Sequence, residues 1–189
     1  AHIQEQEARE ANRHGFTKHS PALPLYTSAD ASRALTQLQS VGYGRPQPIE
    51  PVADATVEFI NAGHLLGSAY ARVRVGGQAI LFGGDLGRYD RPVLPDPSPV
   101  PEADVLLMES TYGDRLHEPD DHGNRLAAIV NDAAKRGGKL IIPSFAIGRV
   151  EEVLYWLKRL EEENRIPVLP VYLDSPMAIE APKVYCEHL

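Results

Sequence analysis

Thr56 to Arg88 reads TVEFINAGHLLGSAYARVRVGGQAILFGGDLGR, and the fold turns on this stretch. It contains three short strands and two turns that carry chemistry. Val57, Phe59 and the apolar positions around them suit a first strand. Tyr70 to Val75 alternates apolar and polar residues, as a half-buried strand does. Gly76-Gly77 is a hairpin signal, because glycine tolerates the positive φ that a tight turn demands. Ala79 to Phe82 is the return strand, apolar throughout. His64 ends the first strand and Asp85 ends the third, each flanked by glycines that permit sharp bends and close approach. An imidazole and a carboxylate at neighbouring strand ends are good donors for zinc, so their side chains are expected to converge on one point.

Either turn alone, GxH or GD, is more often a plain turn than a metal site. Here AGHLLGSA (62–69), a strand pair and FGGDLG (82–87) follow one another. That order and spacing resemble two consecutive metal-binding motifs of the metallo-β-lactamase fold. Downstream, LLMESTYGDRLH (106–117) resembles the segment that leaves the metallo-β-lactamase core in the β-CASP nucleases of RNA processing. PSFAIGRVEEVL (143–154) and YLDSPMA (172–178) resemble the opening of the inserted β-CASP domain. The resemblance extends over essentially the whole chain.

That resemblance implies an α/β architecture: a partial metallo-β-lactamase αββα fold over residues 1–114, then the start of a β-CASP parallel α/β domain over 115–189. It implies His64 and Asp85 as metal ligands, with Asp85 bridging two zinc ions. It also implies that Glu109 orients a catalytic histidine supplied from elsewhere, without binding metal itself. The reaction implied is hydrolysis of RNA phosphodiester bonds, with single-stranded RNA as substrate. The family's HxHxDH motif is not in this sequence, and His2, His14 and His19 lack the spacing to replace it. Two ligands are too few for two zincs, each of which takes about four. The 189 residues alone are therefore expected to bind zinc poorly and to be inactive. Two other readings stand beside this one: a non-catalytic RNA-binding or scaffolding paralogue, and another hydrolase of the same fold, such as a glyoxalase or lactamase.

Composition bounds the alternatives. The chain is 43% hydrophobic and 24% charged, ordinary values for a globular protein. No apolar run approaches the roughly 20 residues of a membrane span. A net charge of −7 argues against a wholly basic nucleic-acid binder, although a metal cleft attracts phosphate locally. One cysteine, Cys186, excludes an internal disulfide framework and cysteine-rich zinc sites. It fits a reducing, cytoplasmic setting. The chain begins Ala-His-Ile-Gln, so its start is expected not to be the native one and targeting is not legible. A homodimer is compatible with these features.

The rest of the chain reads in segments. Ile3–His14 is a helix ended near Gly15; its IQExxA pattern resembles the segment that follows the family's histidine-rich motif. Residues 19–27 form a proline-punctuated connector. Ser28 caps a helix over about 29–39, ended by Gly42 and Gly44. Pro46, Pro48 and Pro51 mark a loop or edge segment. The proline-rich stretch after Asp85 reads as a surface loop, with Arg88 and Arg91 only weak candidates for phosphate contact. Asp104–Glu109 is a buried strand. Asn124–Lys135 is an amphipathic helix with Leu126, Ile129, Val130 and Ala133 inward. Lys139–Pro143 and Val168–Leu173 are further strands, each followed by a helix, at Val150–Glu163 and after Ser175-Pro176. That alternation predicts a parallel sheet. The strand-to-helix turns at Ser144 and Ser175, with Arg149 close by, are candidate phosphate sites, because helix N-termini offer free N–H groups. Ordinary helix capping by the two serines is at least as good a reading.

Overall fold

A computed structural model describes residues 1–188, which divide into two compact units, Ala1–Val41 and a second that begins at Gly42. The first holds α1 (His2–His14) and α2 (Ser28–Leu35). Gly15 closes α1 in the left-handed region, its N–H bonded to the Ala11 carbonyl at 2.9 Å. Polar side chains of α1 order the connector that follows. Asn12 brackets Ala22, donating to its carbonyl at 2.9 Å and accepting its N–H at 2.7 Å. Gln4 accepts the Leu25 N–H, and Glu5 takes both the N–H and the hydroxyl of Ser28.

Helix α2 is shorter than the sequence predicts, and its cap lies one residue earlier. Ser28 is engaged by Glu5, so Thr27 is the N-cap. The Thr27 hydroxyl accepts the Asp30 N–H at 3.2 Å, while the Asp30 carboxylate accepts the Thr27 N–H at 2.9 Å. This reciprocal pair satisfies two donors that a helix start otherwise leaves free. The helix stops at Leu35, before the two glycines are reached.

The second unit is built on a mixed five-stranded sheet in the order β1-β2-β3-β4-β5. Its strands are β1 (Gln47–Pro48), β2 (Thr56–Asn61), β3 (Ala69–Val75), β4 (Gln78–Phe82) and β5 (Val105–Leu107). The proline-marked segment is a short edge strand. β2, β3 and β4 form an antiparallel meander, with Ile60 opposite Tyr70 and Val73 opposite Ile80. Gly76 and Gly77 turn the β3–β4 hairpin with φ of 56° and 81°, the double positive φ of a type I′ turn. β5 returns parallel to β4, with Leu81 beside Leu106. Ala62, Tyr70 and Leu81 form the core beneath this sheet, packed by Ile60, Leu86 and Ala103.

Helices α3 (Asn124–Lys135), α4 (Arg149–Glu162) and α5 (Pro176–His188) follow. Ala127, Val130, Leu160 and Ile166 make the core between α3 and α4. The inward face of α3 is Ala127, Val130 and Ala133, with Leu126 packed beside it; of the apolar residues read from the sequence only Ile129 faces outward, 52% exposed. Small residues on the inner face let α4 approach closely, which the apolar count alone does not reveal.

Three strand expectations need correction. Asp104–Glu109 yields only a three-residue strand, and Val105, Leu106 and Leu107 are about half exposed. β5 is an edge strand, and among the described residues no second layer covers it. Lys139–Pro143 and Val168–Leu173 enter no ladder, so the predicted parallel sheet does not form. A strand exists only through its partner's N–H and C=O groups. Apolar content gives these two segments the right surface, but neither is paired with the open edge of β5 or with the other.

The cap of α2 is sensitive to acid. Hydrogen bonds from the Thr27 N–H and hydroxyl, then from Arg33, hold the Asp30 carboxyl below its ordinary value. A carboxyl depressed in the folded state stabilises above its unfolded pKa, and that stabilisation is lost as pH falls through the folded value. We expect the helical Cα shifts of Ala31–Leu35 to decline in this acid range. The decline should be absent in Asp30→Asn, whose cap no longer titrates.

Candidate functional site

The first turn of the site lies between β2 and β3. Ser68 closes it with one hydroxyl oxygen, which accepts the N–H of His64 at 3.0 Å and of Leu65 at 3.1 Å. The Ala62 N–H bonds to the Ser68 carbonyl at 3.1 Å, and the Ser68 N–H bonds back to Leu65. Asn61 adds a second tie, accepting the Gly63 N–H and donating to the Asp96 carbonyl. Gly63 has φ of 64°, and a Cβ there would lie 2.7 Å from the Pro97 nitrogen. No other residue fits at that position.

The second turn follows β4. Gly87 sends its N–H to the Ala62 carbonyl at 2.9 Å. A Cβ at Gly87 would sit 2.2 Å from the Gly63 carbonyl carbon, so the two turns are stitched backbone to backbone. Glu109, just beyond β5, accepts the Leu86 N–H at 2.7 Å. A hydrogen bond from the Thr111 side chain, then the Leu86 N–H, then the charge of His64, hold the Glu109 carboxyl below its ordinary value. Glu109 thus reaches the residue next to Asp85 and lies in the field of His64.

These ties bring His64 Nε2 and Asp85 Oδ2 to 3.9 Å from each other, both side chains open to solvent. Ligand bonds of about 2.0–2.2 Å place two donors of one zinc ion within about 4.4 Å of each other. The pair therefore fits a zinc in kind and in spacing, but not in number. Among the described residues no group of three or more histidine, cysteine, aspartate or glutamate side chains gathers to hold a metal.

The helices close over the same end. The Leu66 N–H donates to the Tyr185 hydroxyl on α5 at 3.3 Å. Gly148, the N-cap of α4, leaves no room for a Cβ beside Leu65. Arg149, the first residue of α4, is largely exposed and pairs with Glu152 at 3.4 Å. Ser144 lies ahead of the turn that leads into α4; Gly148 occupies the N-cap, and no side chain caps it. Ser175 caps α5, its hydroxyl accepting the Ala178 N–H at 3.3 Å. One residue beyond the Arg149 turn, Glu151 is 6% exposed, and neither carboxylate oxygen has a partner among the described residues.

Ser68, Tyr185 and Glu152 were not singled out from sequence. For Ser68 a signal exists: a serine four residues after His64 and directly after a glycine is placed to accept N–H groups of its own turn. No local signal marks Tyr185 or Glu152. We expect Ser68→Ala to leave two N–H groups without an acceptor and to cost about 1–3 kcal/mol in urea unfolding. Ser68→Thr, which keeps the oxygen, should recover most of that loss.

Comparison with known proteins adds an independent line. Ribonuclease TTHA0252 of Thermus thermophilus is 40% identical over 156 residues, a match covering 82% of this chain and 35% of that protein. Cleavage and polyadenylation specificity factor 73 of Drosophila melanogaster is 33% identical over 164 residues, covering 85% of this chain and 24% of that protein. An RNase J-like protein of Methanocaldococcus jannaschii is 32% identical over 168 residues, covering 87% and 39%. The chain thus spans between about a fifth and two-fifths of the length of the curated relatives it matches. No protein-family model matches it. Among the described residues no helix is long and apolar enough to cross a membrane. Over about 85% of its length the chain is thus homologous to ribonucleases of the β-CASP family.

Proposed function

We propose that the protein containing this chain is a zinc-dependent ribonuclease that hydrolyses phosphodiester bonds of single-stranded RNA. The observation that carries this reading is the convergence of His64 and Asp85 at 3.9 Å, in a chain of that nuclease family. In this reading residues 1–114 are part of a metallo-β-lactamase domain and 115–189 open a β-CASP domain. The setting is cytoplasmic, and the protein can act as a homodimer.

Each residue then has a distinct task. His64 offers a neutral nitrogen, and Asp85 offers two oxygens that can be shared between ions. Zinc, when bound, supplies a water acidic enough to attack at neutral pH and offsets phosphate charge. Ser68 holds His64 in place through its backbone. Glu109 holds the Asp85 turn through Leu86 and, in this reading, orients the catalytic histidine supplied from elsewhere in the protein. Arg149, with Ser144 and Ser175, is assigned to substrate phosphate. Each serine also serves, or neighbours, a helix start, so its share in binding is tested separately by substitution.

In the full-length protein, Asp85→Ala should abolish RNA cleavage and weaken binding of the second zinc most, since in this reading a carboxylate that would serve both ions is lost. Glu109→Gln should lower turnover while zinc content stays nearly unchanged. Metal analysis and cleavage of a labelled single-stranded RNA measure both. Two zincs with intact turnover in Asp85→Ala would defeat the assignment, and zinc loss in Glu109→Gln would make Glu109 a ligand. The 189-residue chain by itself, with two ligands, should neither retain zinc through gel filtration nor cleave RNA.

A further inference from the structure

One carboxylate near the site has two partners. Glu152 Oε1 pairs with Arg91, and Oε2 lies 3.4 Å from Arg149. Arg91 stands in the proline-rich loop six residues after Asp85, and Arg149 opens α4. Glu152 and Arg91 are mostly buried, with side chains 19% and 21% exposed, while Arg149 is 62% exposed. The ion pair is therefore not a surface pair of negligible worth. It ties the loop that follows Asp85 to the first turn of α4, and α4 in turn touches the His64 turn through Gly148 and Leu65.

The local charge runs against that of the whole chain. Burial, then the guanidiniums of Arg88 and Arg149, push Arg91 below its ordinary value, with Asp120 acting the other way. Arg88 and Arg149 thus both stand within electrostatic range of Arg91 in a chain of net charge −7. Like charges are held together at a cost unless something uses them. Guanidinium forks match phosphate oxygens in shape as well as in charge.

We propose that Glu152 is a positioning residue. By holding Arg91 and Arg149 on one carboxylate, it sets them with Arg88 as a single face for RNA backbone phosphate beside His64 and Asp85. The inference rests on the ribonuclease reading and adds to it Arg88, Arg91 and the residue that orients them. It also makes a counter-intuitive claim. A carboxylate inside a phosphate site weakens the site's field, so if Glu152 only neutralises charge, its removal must tighten binding. If it positions the arginines, its removal must loosen binding.

The test is fluorescence anisotropy of a labelled single-stranded RNA oligonucleotide with this 189-residue chain, in chelator, over a salt series. Metal and turnover play no part in it. We expect measurable binding, with Arg149→Gln and Arg91→Gln each weakening it and each lowering the logarithmic salt slope by about 0.7. Glu152→Gln should weaken binding at least threefold although it removes a negative charge. Arg91→Lys, which keeps the charge but not the fork, should weaken it too. Thermal melts of each variant confirm folding, and either of the last two variants suffices if the other does not fold. Binding that is equal or tighter in Glu152→Gln, with loss in Arg149→Gln, overturns the positioning role and leaves the phosphate reading standing. No binding by the unaltered chain, or none lost in the arginine variants, overturns both.

Discussion

Gly87 lies so close to the backbone of Gly63 that it tolerates no side chain, and the candidate site depends on that approach. Gly87 packs against the carbonyl of Gly63 and donates its N–H to Ala62. The turn ending in His64 and the turn carrying Asp85 are thereby locked together through the backbone. Backbone contact is the stiffest link available between two loops, because it involves no rotatable side chain. A Cβ at Gly87 would force the turns apart by more than the slack in a pair of metal bonds, which are held to a few tenths of an ångström.

Around this seam, polar side chains finish the work that strands and helices leave undone. Ser68 takes two N–H groups, Glu109 one and the Tyr185 hydroxyl another. Each removes a donor that would otherwise be stranded in a tight turn. The bonds also choose which elements meet: β5 is tied to the Asp85 turn, and α5 to the His64 turn. The functional end of the unit is therefore its most cross-braced part, while the far side of β5 stays open. A rigid scaffold with its chemistry on short, braced loops is the arrangement that holds donors in fixed geometry.

Electrostatics follows the same plan. A chain with an acidic balance gathers Arg88, Arg91 and Arg149 near the paired turns, with Glu152 between two of them. The unpartnered carboxylate of Glu151 sits immediately before Glu152 on α4. A buried polar group without a hydrogen-bond partner is costly, so the first turn of α4 sacrifices stability beside the candidate site.

Much of this was legible in the residues themselves. The glycine pair fixed the β3–β4 hairpin, alternation marked β3, and the GxH and GGD turns marked His64 and Asp85. Helices α3 and α4 were readable from periodicity, α1 from its composition and α5 from its Ser-Pro start, and the ordered motifs pointed to the nuclease family. These features are local: turn chemistry and amphipathic period are written within a few neighbouring residues. Pairing and bracing are not. Glu109 meets Leu86 across 23 residues and Tyr185 meets Leu66 across 119. The inward face of α3, the cap of α2 and the unpaired state of Lys139–Pro143 and Val168–Leu173 likewise depended on a partner elsewhere. Sequence alone determined which groups could form a site. The tertiary structure decided which backbone donors and acceptors met, and so placed His64 and Asp85 3.9 Å apart.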